Sequence, residues 1–202
     1  SGTTRSLASV FFTDSQTGWA VGDSGTILNT TNGGTTWQLQ TSGTSNALGS
    51  VYFTDNQTGW AVGEAGIIIH TADGGATWQW QYLGMISGFN AVYFTDSQTG
   101  WVVGSAGYML KTTDGGANWQ PQNSGTTHSL YDIQFTDSQT GWAVGNAGTI
   151  LKTSNGGMSW QLQPSAITES LYAVHFVDGQ TGWMVSWVNI IAKSSDGGTN
   201  WQ

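Results

Sequence analysis

The chain has 202 residues, 38% hydrophobic, 12% aromatic and only 8% charged, with a formal net charge of −8 and no cysteine. Twelve acids against Arg5, Lys111, Lys152 and Lys193 leave no basic footprint for nucleic-acid phosphates or for an anionic membrane surface. The hydrophobic, Trp-rich makeup excludes a disordered segment, the lack of cysteine excludes a disulfide framework, and there is no apolar run long enough for a membrane-spanning helix.

Strand A of the first unit is predicted over Leu7 to Phe12, where apolar and polar residues alternate, with a turn at Thr13-Asp14-Ser15-Gln16. Gly18 to Val21 reads as strand B, and Gly22-Asp23-Ser24-Gly25 as the next turn. Thr26 to Thr30 is strand C, followed by the turn Asn32-Gly33-Gly34. Strand D begins near Trp37 and runs into a Ser/Gly/Thr linker.

The same pattern then recurs. Trp19, Trp60, Trp101, Trp142 and Trp183 form one series at constant spacing, and Trp37, Trp78, Trp119, Trp160 and Trp201 form a second. Asp14, Asp55, Asp96, Asp137 and Asp178 keep the same 41-residue step, with no insertion or deletion. Four short strands in about 40 residues is the size of one propeller blade. Because a lone blade cannot bury both of its faces, neighbours must stack on it. The expected fold is therefore all-β, a five-bladed β-propeller of 41-residue four-stranded blades, as a single domain over 1–202. The blades fall at about 1–41, 42–82, 83–123, 124–164 and 165–202. Ser1 stands at a linker position and Gln202 at the start of strand D, so the ends are expected to meet and close the ring in a monomer. Five copies cut from a longer array, or a ring completed by another chain, are the competing readings.

Thr30-Thr31-Asn32-Gly33-Gly34-Thr35-Thr36-Trp37 and its four repeats resemble the Asp-box of sialidases and other propellers. Its key residues here are Asn32, Asp73, Asp114, Asn155 and Asp196, with Trp37, Trp78, Trp119, Trp160 and Trp201. The Asp or Asn side chain can hydrogen-bond amides of the turn, and the tryptophan can pack beneath it with its N–H on a nearby acceptor. The resemblance implies a folding element on an outer turn, away from any active site. The whole unit, with Phe-Thr-Asp, Gly-Trp-x-Val-Gly, Gly-x-Ile and Asp-Gly-Gly-x-x-Trp, resembles the photosystem II stability and assembly factor family of propellers. That likeness covers essentially the full chain and implies a non-catalytic scaffold that holds a protein client. Photosynthetic members are generally seven-bladed and carry an arginine-rich patch, whereas this chain has five units and Arg5 as its one arginine.

No catalytic residue is assigned. Sialidase chemistry uses an arginine cluster, which one arginine cannot supply. A glycosidase needs two carboxylates about 5–10 Å apart. The five repeated aspartates are symmetry-related and are expected to stabilise turns, leaving Asp23, Glu64, Asp132 and Glu169 as the non-repeated acids. His70, His128 and His175 occupy different repeat positions without ligand spacing, so neither a metal nor a cofactor is implied. Lys111, Lys152 and Lys193 share one strand C position and are expected to form a solvated stripe.

Binding chemistry is sought where the copies disagree. In blade five, Ser186-Trp187-Val188-Asn189 replaces the Gly-x-x-Gly turn and sets Trp187 on the face shared by the B–C turns and D–A linkers. Tyr82 and Met85 make the second linker unusually apolar, and Tyr108 replaces the Thr or Ile that opens strand C elsewhere. Asp23 and Glu64 lie on the same turns, and Asp132 on the innermost strand. Together these are the candidate partner-binding residues. The plainer reading is that Trp187 fills the seam where the first and last blades meet or packs between blades, and that Tyr82 and Met85 serve packing. The partner is expected to be a protein or peptide, with a carbohydrate-binding module of a secreted protein as the alternative. An engineered or reconstructed propeller with no native ligand is a further reading. Composition suggests an exported protein, secreted or periplasmic, although Ser1-Gly2-Thr3-Thr4-Arg5 has no stretch of signal-peptide type.

Overall fold

A computed structural model describes residues 2–81 and 87–202. The first repeat forms β1 (Leu7–Phe12), β2 (Gly18–Gly22), β3 (Thr26–Thr30) and β4 (Gln38–Gln40), and the second β5 (Leu48–Phe53), β6 (Gly59–Gly63), β7 (Ile68–Thr71) and β8 (Gln79–Trp80). The third forms β9 (Phe89–Phe94), β10 (Gly100–Gly104), β11 (Met109–Thr112) and β12 (Gln120–Gln122). The fourth forms β13 (Leu130–Phe135), β14 (Gly141–Gly145), β15 (Ile150–Thr153) and β16 (Gln161–Leu162). In the fifth, β17 (Leu171–Phe176), β18 (Gly182–Ser186) and β19 (Ile191–Ser194) make a three-stranded sheet, where four strands were expected. Lys193 and Gln202 still exchange both backbone hydrogen bonds, which marks where the fourth strand begins.

Each sheet is an antiparallel meander in sequence order, and the five sheets make an all-β, five-bladed propeller. The chain divides into two compact units, Ser1–Gly100 with Thr112–Asn118, and Trp101–Lys111 with Trp119–Gln202. In the first unit, Trp19, Val21 and Ile27 of blade one pack with Leu48, Val51, Phe53, Ala61, Ile69 and Trp78 of blade two. In the second unit, Trp142, Val144 and Ile150 pack in the same way with Leu171, Val174, Phe176, Met184 and Ala192. The strand B tryptophan lies flat on the phenylalanine that ends the next strand A, at centroid distances of 3.5 Å (Trp19–Phe53), 3.6 Å (Trp60–Phe94) and 3.6 Å (Trp142–Phe176). That phenylalanine crosses its own blade so closely that a Cβ on Gly59 or Gly182 would sit 2.5 Å from the ring, which is why this position is glycine.

Directed hydrogen bonds fix the register between blades. Trp19 Nε1 donates to Gly74 O at 3.1 Å, Trp60 Nε1 to Gly115 O at 3.2 Å, and Trp142 Nε1 to Gly197 O at 3.2 Å. The lysines add to this pattern. Lys111 Nζ donates to Gly156 O at 2.7 Å and Lys152 Nζ to Gly197 O at 2.6 Å, each above a tryptophan ring of its own blade. The expected solvated stripe is therefore corrected for these two. Their stems are long enough to reach the next blade, where a carbonyl and a ring face replace water. Burial lowers the Lys111 pKa.

The acids of the A–B turns and of the boxes act as turn locks. Asp14 Oδ1 accepts the backbone N–H of Gln16 and Thr17 at 2.6 and 2.8 Å, and its four equivalents repeat this. In each box the leading Thr or Ser hydroxyl bridges the acid or amide and a glycine N–H, as in Thr71 Oγ1 to Asp73 Oδ1 at 2.8 Å and Gly75 N to Thr71 Oγ1 at 2.8 Å. Hydrogen bonds from Thr77, and from Asn200 in the last box, hold Asp73 and Asp196 down at about 2. The box tryptophans are less uniform than expected. Trp78 Nε1 reaches Gln40 Oε1 and Trp201 Nε1 reaches Gly198 O, while Trp160 Nε1 is buried and meets no partner among the described residues.

Candidate functional site

The sequence-nominated residues fall at several places. Tyr82 and Met85 lie outside the described residues. Asp23 and Glu64 open equivalent 3-10 turns, Asp23–Gly25 and Glu64–Gly66, in the first unit. Each turn is pinned through its backbone, Asp23 N to Ser6 O and Glu64 N to Ala47 O at 3.0 Å, so both carboxylates remain exposed. Tyr108, in the second unit, closes the turn Ser105–Gly107 and is partly exposed.

These turns explain why Trp187 is different. In blades one to four the third turn residue is left-handed without being glycine (Ser24, Ala65, Ala106, Ala147, φ 52 to 56°), and a left-handed glycine follows it. A Cβ on Gly25 would meet Thr44 O at 2.1 Å and one on Gly148 would meet Ile167 O at 1.8 Å, because the next linker presses on the turn. Blade five has Val188 at the third position, and its β-branched side chain disfavours the left-handed region. Only Asn189 takes positive φ there, at 61°, with Ser186 N bonded to Ile190 O. The turn is rebuilt, and Trp187 stands 85% exposed.

Trp187 is not isolated. Its ring stacks on Tyr172 at 5.2 Å, and Tyr172 stacks on Tyr131 at 4.7 Å with only 9° between planes. Tyr131 and Tyr172 are the second residues of β13 and β17, where the first three blades carry Ala8, Gly49 and Asn90. The result is a three-ring aromatic ladder on the second unit, at the end that carries the B–C turns. Sequence reasoning nominated Trp187 and missed both tyrosines. Their signal is the change from small or polar residues to tyrosine in one repeat column.

Asp132 plays a different part. Its Oδ2 accepts Val174 N at 2.9 Å and its Oδ1 accepts Ile133 N at 2.9 Å. Ser9 and Ser50 clip Val51 N and Val92 N in the same way, so Asp132 stitches one blade to the next. Burial outweighs these bonds and raises its carboxyl to about 6. Gln134 beside it donates Nε2 to Phe176 O at 3.0 Å and accepts Phe176 N. The first unit carries rings at the position of Gln134: Phe11 to Tyr52 at 4.7 Å and Tyr52 to Tyr93 at 5.0 Å. A cavity of about 780 Å³ opens beside them, lined by Phe11, Tyr52, Asp14, Asp55 and Asp96 among others. Its acids are engaged in their turns. Among the described residues, no three His, Asp or Glu side chains gather as a metal-binding group.

Comparison with known proteins places this architecture. Over its full length the chain is similar to YCF48 bound to D1 peptide, with 24% identity, a TM-score of 0.57 and 82% of that chain covered. It is also similar over its full length to YCF48 from Cyanidioschyzon merolae, with 17% identity, a TM-score of 0.68 and 85% of that chain covered. An ancestral GH74 enzyme matches 97% of this chain and 30% of its own length, with 17% identity and a TM-score of 0.81. No curated protein matches in sequence. These structural likenesses show the fold. Residues 2–85 and 118–202 match the family model of the photosynthesis system II assembly factor YCF48, and the chain belongs to that family.

Proposed function

We propose that this propeller is a non-catalytic binding module that holds a peptide or protein client against the Tyr131–Tyr172–Trp187 ladder. The observation that carries this reading is Trp187, 85% exposed yet ordered by stacking on Tyr172. A large ring held in place in solvent gives contact area at little entropic cost, which is the character of an anchor residue. Membership in an assembly-factor family supports the peptide reading, as does the capture of a D1 peptide by a relative. The scarcity of basic side chains separates this chain from a reader of acidic segments, and favours an apolar or basic client.

A carbohydrate is the second reading. The near-parallel Tyr131 and Tyr172 rings with Trp187 above them suit stacking on a sugar face. Parallel peptide and glycan arrays, followed by titration of the strongest binder, decide between them. Trp187→Ala is expected to weaken peptide binding by about 10- to 100-fold, roughly 1.4–3 kcal/mol. Saturable sugar binding lost in Trp187→Ala, with no peptide bound by the parent chain, overturns the peptide reading.

A further inference from the structure

The cavity of about 780 Å³ in the first unit opens among the A–B turns of blades one to three, and every residue that lines it belongs to that unit. Phe11 and Tyr52 give it an aromatic wall, and the row of rings continues from Tyr52 to Tyr93 at 5.0 Å. All three rings stay half-buried. The blade framework does not require them, because blades four and five carry Gln134 and His175 in the same column.

Asp14, Asp55 and Asp96 line the same cavity. Each commits Oδ1 to two backbone N–H groups of its own turn, which leaves Oδ2 as the outer oxygen. Asp14 Oδ2 accepts Asn56 Nδ2 at 3.2 Å and Asp96 Oδ2 accepts the Thr95 hydroxyl at 3.3 Å, while no hydrogen bond reaches Asp55 Oδ2 among the described residues. Asn56 is itself particular to blade two, where the other blades have Ser15, Ser97, Ser138 and Gly179. The N–H groups of Gln16 and Thr17, and then Asn56, hold the Asp14 carboxyl below its usual range, so it is ionised at neutral pH. The chain's own cations are engaged elsewhere. Arg5 donates to Ser24 O in a B–C turn, and Lys111, Lys152 and Lys193 each lie over a tryptophan ring of their own blade.

We propose that this cavity is a binding site for an ammonium or guanidinium group on an apolar stem, with the stem against Phe11 and Tyr52 and the charge facing Asp14, Asp55 and Asp96. Ring faces and un-neutralised carboxylates both attract a cation, the first through the ring quadrupole and the second through charge. An anion meets repulsion from the same groups. A free polyamine and the lysine or arginine side chain of a peptide share the required chemistry. The site is separate from the Tyr131–Tyr172–Trp187 ladder, which belongs to the second unit, so either can fail without the other.

Calorimetric titration of the full chain with spermidine and with N-acetyl arginine amide tests this, using the uncharged citrulline amide as control. At least one cation is expected to bind saturably, and the citrulline amide should bind on the order of tenfold more weakly than the arginine amide. Binding of spermidine alone assigns the site to free amines, and binding of the arginine amide assigns it to peptide side chains. Raising salt from about 0.05 M to about 0.5 M should weaken binding several-fold. Asp55→Asn keeps the acceptor that locks the turn and removes the charge, so it should weaken binding several-fold in a folded chain. The same change at Asp137, in the blade-four turn outside the cavity, should leave binding as it was. Tyr52→Leu should weaken binding on the order of tenfold, and Tyr52→Phe, which keeps the ring, should restore it. Should Tyr52→Leu lose its near-ultraviolet dichroism, Asp55→Asn combined with Asp96→Asn decides in its place. The proposal is overturned if neither cation binds at millimolar concentration, if citrulline amide binds as tightly as arginine amide, or if the folded cavity variants bind like the parent.

Discussion

Phe11, Tyr52 and Tyr93 in the first unit and Gln134 and His175 in the second share one repeat position, and the two units fill it with different chemistry. The first stacks rings along its inner strands. The second clamps the backbone of Phe176 with an amide and leaves His175 exposed. At the start of strand A the contrast reverses: the repeat position of Ala8, Gly49 and Asn90 in the first unit is taken by Tyr131 and Tyr172 in the second. Beneath both patterns the Trp, Phe and Val columns between blades barely change. The framework is carried by columns that repeat from blade to blade, and the differences between repeats gather in the inner columns and turn tips.

The largest effects should be equal in the two units. Trp60→Ala and Trp142→Ala each remove a fully buried ring, its stacking partner and a hydrogen bond, and should each cost about 3–5 kcal/mol in denaturant unfolding. A clear inequality between them breaks the claim of a shared framework. Asp132→Asn probes what is special to the second unit. The Asp132 pKa is raised in the fold from 3.8 to about 6, so the folded state binds this proton more tightly than the unfolded chain does. Its stabilisation is complete below about pH 4 and is lost as pH rises through 6, amounting to about 2 kcal/mol. Unfolding measured at pH 4 and pH 7 should show that loss in the parent chain and not in the Asn variant. Asp73 and Asp196 have the opposite sign: held near 2, they stabilise above about pH 4 and lose that contribution as pH falls towards 2. The smallest effect belongs to Tyr52→Phe, which keeps the ring of the first unit's ladder and should change stability by less than about 1 kcal/mol. Burial and the neighbouring Tyr93 push the Tyr52 hydroxyl up, so spectrophotometric titration should lose one late-ionising tyrosine in this variant.

Much of the fold was legible because the 41-residue step aligns every strand with four others. Leu7–Phe12 and Thr26–Thr30 fall where alternation placed them, and the turn role of Asp14 and its equivalents followed from their repetition. Of the proposed ladder only Trp187 was legible, where a turn motif visibly breaks. Tyr131 and Tyr172 escaped because one tyrosine in a strand is ordinary until a neighbouring strand stacks a second against it. The lysines were misread because reach across a blade boundary depends on side-chain conformation. Leu7, Val10 and Phe12 have the same sequence pattern as Leu48, Val51 and Phe53, yet the first three are 40–60% exposed and the second three are buried, a difference the residues themselves do not encode.

The hydrogen bonds from Trp19, Trp60, Lys111 and Trp142 each link a blade only to the one that follows it. Opening any one blade therefore also sacrifices the bonds it shares with its neighbours in sequence. Amide exchange is therefore expected to be slowest in a blade bonded on both sides, as blade two is through Trp19 and Trp60.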